Sequence, residues 1–394
     1  MADGRLQLVA SLAILALSLV LFNRLLDLAS GHEKELLVLG LVAFTIILSG
    51  HIAHLIGISA SIIELIVGIL IAAAGGIVTE PLAVLAGIGA NILLFMAGSE
   101  VDVRMLRQRI GDSIILGILG FAVPSIVGYV VSVYYDLPLE STLLLIAGFS
   151  ATSVAITYSI LRSMGLLSSR YGQVALSAAM IADVVGMLLL NVASASVDPK
   201  LIAYALILVS ALALQPLIPR ISGAPFEAEI RLVTMAIIVL GVLSEIVGVH
   251  SVLTSFILGI VVSETVRSKR MLREKLEGLA TGFFTPFFFI SSGMKVNPNL
   301  LLNDIAIIVL VGLAVFIAKF LPPFLYFRKA KGARRRASII LSSSLAPLLT
   351  VSIISGEVGI SLGLLGDEAY NILMGVVLFS VIASSLIAYN YSRR

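Results

Sequence analysis

Residues Gly172 to Val192 read GQVALSAAMIADVVGMLLLNV, a run long and apolar enough to cross a bilayer, with one carboxylate, Asp183, near its middle. An ionised acid at that depth costs about 3 kcal/mol on insertion scales, so such a residue usually lines a water-filled path and has a task. The task that suits a lone intramembrane carboxylate is carrying a cation or a proton.

The remainder of the chain is equally lipophilic. Hydrophobic residues make up 59% of 394 positions, charged residues 12%, and mean hydropathy is +1.12, whereas soluble domains are about a quarter charged. This is the composition of an all-α polytopic membrane protein, multi-pass in the cell membrane with the lipid bilayer as its main partner. A net charge of +3 would suit a nucleic-acid binder, but the basic residues sit in short loops on one side, so no nucleic acid is expected. Cysteine is absent, which excludes disulfides, thiolate metal sites and thiol chemistry.

Fourteen apolar runs of about twenty residues are legible: 6–26, 35–56, 59–76, 81–98, 112–134, 141–162, 172–194, 199–218, 229–247, 250–264, 277–293, 303–326, 335–356 and 369–390. The first is too long for a signal-peptide core and is expected to be retained. All are read as helices, because an open sheet cannot satisfy its backbone in lipid and the runs lack a barrel's alternation. Of the 26 Lys and Arg residues, only Arg24, Lys34, Lys200 and Lys295 fall in the opposite loops and Lys319 within a span, which places both termini in the cytoplasm. The densest basic runs, Arg267–Lys275 and Arg328–Arg336, read first as retention signals; contact with anionic headgroups is the other reading. No loop is long enough for a nucleotide-binding regulatory domain.

Two spans are interrupted. The sixth is broken at Gly148-Phe149-Ser150-Ala151-Thr152-Ser153 and the thirteenth at Ser342-Ser343-Ser344-Leu345-Ala346-Pro347, with Thr350 just beyond. Each break alone reads equally as a small-residue packing face or a kink. Seven spans apart, the two helices run in opposite directions, which is the pointer to inverted repeats whose crossing broken helices offer dipole ends and free carbonyls to an ion.

At this point the residues resemble a known family. Ser150-Ala151-Thr152-Ser153-Val154-Ala155-Ile156-Thr157, Met164-Gly165-Leu166-Leu167-Ser168 and Ala178-Ala179-Met180-Ile181-Ala182-Asp183-Val184-Val185-Gly186 look like the broken helix and acid-bearing helix of NapA-type sodium/proton antiporters. Leu93-Leu94-Phe95-Met96-Ala97-Gly98-Ser99-Glu100, Ser255-Phe256-Ile257-Leu258-Gly259 and Pro286-Phe287-Phe288-Phe289-Ile290-Ser291-Ser292-Gly293-Met294 resemble the same monovalent cation/proton antiporter superfamily, Kef-type potassium/proton exchangers included.

The resemblance implies an NhaA/NapA-like elevator fold and a homodimer. By position it implies an extra N-terminal helix at 1–30, a dimerisation domain at 34–100 and 228–295, a linker helix at 199–218, and a core ion-translocation domain at 110–195 and 302–391. It implies that Asp183 is the cation- and proton-binding acid, that Thr152 is the threonine of the unwound crossing, and that Lys319 is the lysine of the second repeat's first core helix. By the same analogy Ser153 and the backbone of Ala151 join Asp183 and Thr152 around a monovalent cation, and Ser344, Ala346, Pro347 and Thr350 belong to the second crossing helix. The chain departs from the family pattern twice. Ala182 stands where electrogenic members carry an aspartate and electroneutral ones an asparagine, and Pro347-Leu348-Leu349-Thr350 replaces the proline-arginine-glycine-glutamate motif.

The chemistry follows from a single acid. Desolvation favours its neutral, protonated form and a bound cation favours the carboxylate, so proton and cation compete for one group. One carboxylate with no second acid predicts one proton exchanged per monovalent cation and no net charge movement; a Lys319 that also titrated would make the exchange electrogenic. Oxygen donors suit sodium, lithium and potassium, and no cofactor is called for. Lys319 lies about seven residues from the end of its span, so it either reaches the site or snorkels to the interface.

Glu64 reads as a packing residue on the dimerisation side, Glu357 as a cap at the outer end of its helix, and Glu245, His250, His51 and His54 as groups at helix ends. Three classes stay open: a sodium/proton antiporter, a potassium/proton exchanger or other ion-coupled transporter on the same scaffold, and a relative that has lost transport. An enzyme is not expected, because no nucleophile, base and orienting group converge by spacing.

Overall fold

The structure, a computed structural model, describes residues 2–56, 59–99, 110–166, 169–194, 227–246, 251–329 and 335–392. Among these residues there is no strand. In lipid a bare peptide group has no partner, and the α-helix closes every backbone bond within its own segment.

The helices are α1 (Ala2–Leu28), α2 (His32–Ile56), α3 (Ala60–Ala73), α4 (Glu80–Ser99), α5 (Ile110–Tyr134), α6 (Leu139–Ser150), α7 (Val154–Ser163), α8 (Arg170–Ser194), α9 (Ala228–Ile246), α10 (Ser251–Ser268), α11 (Arg270–Leu279), α12 (Thr285–Met294), α13 (Pro298–Asn303), α14 (Ile305–Lys329), α15 (Arg335–Ser344), α16 (Thr350–Ser361) and α17 (Asp367–Ser392). Seven of them are singly long and apolar enough to cross a membrane. The pairs α6/α7 and α15/α16 are the two interrupted spans. The expected span at 199–218 and His250 lie outside the described residues.

The run read as one span over 277–293 is built differently. A wide π turn, Ala280–Phe284, joins α11 to α12. Pro286 explains it: the ring has no N–H to give Gly282 and would collide with that carbonyl in a regular α-turn, so the helix widens just before it. Leu272 and Leu276 of α11 are buried while Arg270, Arg273, Glu274 and Lys275 face outward. Lys269 and Lys275 pair with Glu229 and Glu227 at 3.1 and 2.6 Å, tying α11 to the start of α9. Much of the first basic run is therefore engaged within the protein.

The chain divides into two units, α1–α4 with α9–α12, and α5–α8 with α14–α17. In the first, helices meet at glycine. A Cβ added at Gly68 would lie 2.1 Å from the Ile290 carbonyl oxygen, and one at Gly293 2.1 Å from that of Leu65, so α3 and α12 touch backbone to backbone. Gly98 and Gly259 do the same for α4 and α10. Gly259→Val would place its Cβ 2.2 Å from the Phe95 carbonyl oxygen, well inside contact distance. Overpacking of this kind costs about 1–3 kcal/mol or more, and a melting temperature lower by roughly 5 °C or more is expected in detergent, against no change for Gly87→Val. Around Gly87 nothing lies within 4 Å. Glu64 is buried on α3 at 4% exposure.

Candidate ion-binding site

The second unit is organised around its two interruptions. After Ser150 the chain is extended through Ala151, Thr152 and Ser153 before α7 begins. The second break lies further along than the Ser342–Pro347 expected. Ser342, Ser343 and Ser344 stay helical, their hydroxyls donating to the carbonyls of Ser338, Ile340 and Leu341 at 2.7, 3.0 and 2.8 Å. Leu345 turns and 346–349 belong to no regular element, because Pro347 drives the residue before it out of the α region and offers no N–H.

The two breaks are stitched together across nearly two hundred residues. The Ser153 N–H donates to the Pro347 carbonyl at 2.9 Å, and Thr152 Oγ1 to that of Leu345 at 3.5 Å. The helix ends are satisfied reciprocally. Thr157 near the start of α7 donates to the Ser344 carbonyl at 2.7 Å, and Ser352 near the start of α16 to the Gly148 carbonyl at 2.5 Å. Each first half-helix thus has a C-terminal carbonyl, which would otherwise be orphaned, capped by the opposite repeat. The Leu348 N–H finds Ser380 Oγ at 3.0 Å, and Ser355 donates to the Leu144 carbonyl at 2.6 Å.

Lys319 is 1% exposed and does not snorkel. Its Nζ donates to the carbonyl of Ser150 at 2.8 Å and to Thr152 Oγ1 at 2.9 Å. An ammonium at the negative end of α6 meets an orphaned carbonyl and the helix dipole together. Asp183 is 9% exposed on α8, and its charge acts on the Lys319 ammonium. Gly186, one turn beyond Asp183, is the point where α8 passes the crossing: a Cβ there would meet Ala151 Cβ at 3.1 Å and Val351 Cγ1 at 3.4 Å. Ala182 is buried beside the acid at 1% exposure. Among the described residues no three His, Cys, Asp or Glu side chains group together, so the donor set is one carboxylate with hydroxyls and carbonyls.

The structure thus brings Asp183, Thr152, Ala151, Lys319, Ala346 and Pro347 to one region of this unit. Ser153 has a narrower part: its Oγ accepts from the Ile156 N–H at 3.4 Å, the placing of an N-cap for α7. Ser344 contributes its carbonyl, and Thr350 opens α16. Glu357 is not a helix-end cap but accepts from the Tyr370 hydroxyl at 2.9 Å, mid-helix on α16. Glu245 does cap, accepting the first N–H of α10, that of Ser251, at 2.9 Å. Sequence reasoning missed Thr157, Ser352, Ser380 and Ser125, the last bonded hydroxyl to hydroxyl with Ser150 at 3.0 Å. Their one signal is a serine or threonine buried in an apolar helix.

Comparison with known proteins agrees with this architecture. The family model described as "Sodium/hydrogen exchanger, transmembrane" matches residues 38–389. The chain is 30% identical to the probable Na(+)/H(+) antiporter 3 of Methanocaldococcus jannaschii over 78% of its own length and 82% of that protein's. It is 26% identical to the Na(+)/H(+)-K(+) antiporter GerN of Bacillus cereus over 90% and 96%. The solved sodium proton antiporter MjNhaP1 of Methanocaldococcus jannaschii superposes with a TM-score of 0.67 at 18% identity, covering 92% of this chain and 100% of that one. With a family match spanning all but the ends of the chain, this protein belongs to the sodium/hydrogen exchanger family of membrane proteins.

Proposed function

We propose that this protein is a secondary antiporter that exchanges a monovalent cation, sodium first, for a proton at Asp183. The observation that carries the reading is the placing of this acid on α8 beside a crossing of two broken helices, where Thr152, open backbone and Lys319 converge. Protonated or cation-bound, Asp183 is neutral enough to pass a dry gate; bare, it is held back by desolvation, which suppresses leak. The cation would take its oxygens from Asp183, Thr152 and the backbone near Ala151.

The second unit acts as the moving core of an elevator and the first as the dimerisation domain of a homodimer, with both termini cytoplasmic. Ala182 offers neither ligand nor proton, so exchange is electroneutral, one proton for one cation. Potassium is the runner-up cation, since one relative is named for potassium as well as sodium.

The test is exchange in proteoliposomes read with an internal pH dye. Sodium is expected to move protons in the protein as it stands, with no steady current under voltage clamp. Ala182→Asp, which restores a second titrating group, is expected to make sodium-driven exchange electrogenic. A sodium-driven current in the unsubstituted protein would overturn the neutral stoichiometry, and the absence of any cation response in folded protein would overturn antiport.

A further inference from the structure

Helix α5 carries none of the residues of the ion site, yet it touches the helices of both its parts. Near its start Gly117 lies against α8: a Cβ there would meet Ile181 Cβ at 2.7 Å and the Ala178 carbonyl oxygen at 3.0 Å, and Ile181 is two residues from Asp183. About three turns on, Gly128 lies against α6, where a Cβ would fall 2.9 Å from Ile146 Cα and 3.1 Å from the Leu145 carbonyl oxygen. The helix of the acid and the first broken helix are thus both packed closely on α5.

Between these contacts stands Ser125. Its hydroxyl donates to the Phe121 carbonyl at 2.8 Å, so its one proton is committed within α5 and its oxygen is left to accept. Ser150 Oγ lies 3.0 Å away and is therefore the donor of that pair. The register is antiparallel, Gly128 meeting Ile146 and Ser125 meeting Ser150 one turn further along α6. Ser150 is the buried last residue of α6, and it is the residue whose carbonyl accepts from Lys319 Nζ at 2.8 Å. A helical serine ordinarily turns its hydroxyl back onto a carbonyl of its own helix. Here Ser125 takes it instead, which ties the end of α6 to α5 at the residue that receives the lysine.

We propose that Ser125 is a positioning residue for the ion site: by accepting the Ser150 hydroxyl it fixes the end of α6 against α5, and so holds the Ser150 carbonyl where it keeps the Lys319 ammonium off the carboxylate of Asp183. This rests on the antiporter reading above. With the tie cut, the Ser150 hydroxyl returns to its own helix and the last turn of α6 shifts. The ammonium, on which the charge of Asp183 already acts, then leans onto the acid and competes with the cation.

The experiment is sodium-driven proton flux in proteoliposomes, with sodium-dependent thermal stabilisation of the purified protein as a binding readout independent of transport. Ser125→Ala is expected to raise the apparent KM for sodium about threefold or more with the maximal rate kept within about twofold, the scale of one lost hydrogen bond. Ser125→Thr, which keeps the accepting hydroxyl at a half-buried position, is expected to stay near the parent. Ser150→Ala is expected to match Ser125→Ala, and the double variant to add nothing further. In a Lys319→Gln background, Ser125→Ala is expected to leave sodium stabilisation unchanged, because the charge it restrains is gone. An unaltered KM in Ser125→Ala, a loss of maximal rate alone, a Ser125→Thr that behaves as Ser125→Ala, or an effect on sodium binding that persists in Lys319→Gln would each overturn the proposal. Failure of the antiporter reading would show differently, as no sodium-driven flux in the parent while Ser125→Ala and Ser150→Ala still couple in melting temperature.

Discussion

Asp183→Asn is expected to abolish cation/proton exchange, leaving the flux of protein-free vesicles, while the protein still folds and remains monodisperse in detergent. The amide is nearly isosteric with the protonated acid and can occupy the same place on α8, where Ala182 and Gly186 are already packed against their neighbours. It neither titrates nor neutralises a cation, so both half-reactions fail together. The sodium-dependent rise in melting temperature is expected to vanish with the flux. Retained sodium/proton exchange in Asp183→Asn would mean that another group carries the coupling. Glu64 of the first unit, which is buried, and Glu357 of the second, which is half-buried, are then the acids to examine.

Lys319→Ala is expected to have the second largest effect, chiefly on stability. It removes the donor to the Ser150 carbonyl and to the Thr152 hydroxyl, both in a buried region with little water to replace it. The Ser150 carbonyl that loses its donor costs about 1–3 kcal/mol, the Thr152 hydroxyl keeps only its bond to the Leu345 carbonyl, and the lost side chain leaves a void besides. A melting temperature lower by roughly 5 °C or more is therefore expected, with exchange reduced because α6 no longer has its end fixed. Lys319→Gln, which can still donate to the same carbonyl, is expected to recover much of the stability without the charge. Equal stability of Lys319→Ala and the parent would show that the ammonium contributes nothing to the crossing. The same pair separates the lysine's two parts, as a donor to a helix end and as a positive charge beside Asp183.

What was legible in the chain beforehand follows from the bilayer. A carboxylate in an apolar run is conspicuous because lipid penalises it, which is why Asp183 could be singled out with no structure. The interruptions were visible for a related reason: Pro347 and the Ala-Thr-Ser step of 151–153 do not belong inside continuous helices. Their limits were less visible. Ser342, Ser343 and Ser344 look like breakers in sequence yet remain helical, because each hydroxyl turns back onto its own helix.

The direction taken by Lys319 was not legible either, since a four-carbon stem two turns from a helix end reaches the interface as readily as the interior. The outcome is decided by the Ser150 carbonyl, 169 residues away in the chain. The reciprocal caps of Thr157 and Ser352 are of the same kind, depending on partners 187 and 204 residues distant. The π turn before Pro286 could have been anticipated from the proline, but its apolar flanks, Phe283-Phe284 and Phe287-Phe288-Phe289, made the segment read as one uninterrupted span.

The central claim is that a single acid holds either a proton or a cation and never both. The most direct measurement is calorimetric titration of the purified protein with sodium in two buffers of different ionisation enthalpy, which counts protons released on binding. The account predicts about one proton released per sodium bound, at a pH where Asp183 is protonated before binding, with neither heat of binding nor proton release in Asp183→Asn. Sodium binding that releases no proton at any pH, or release that survives in Asp183→Asn, would contradict it.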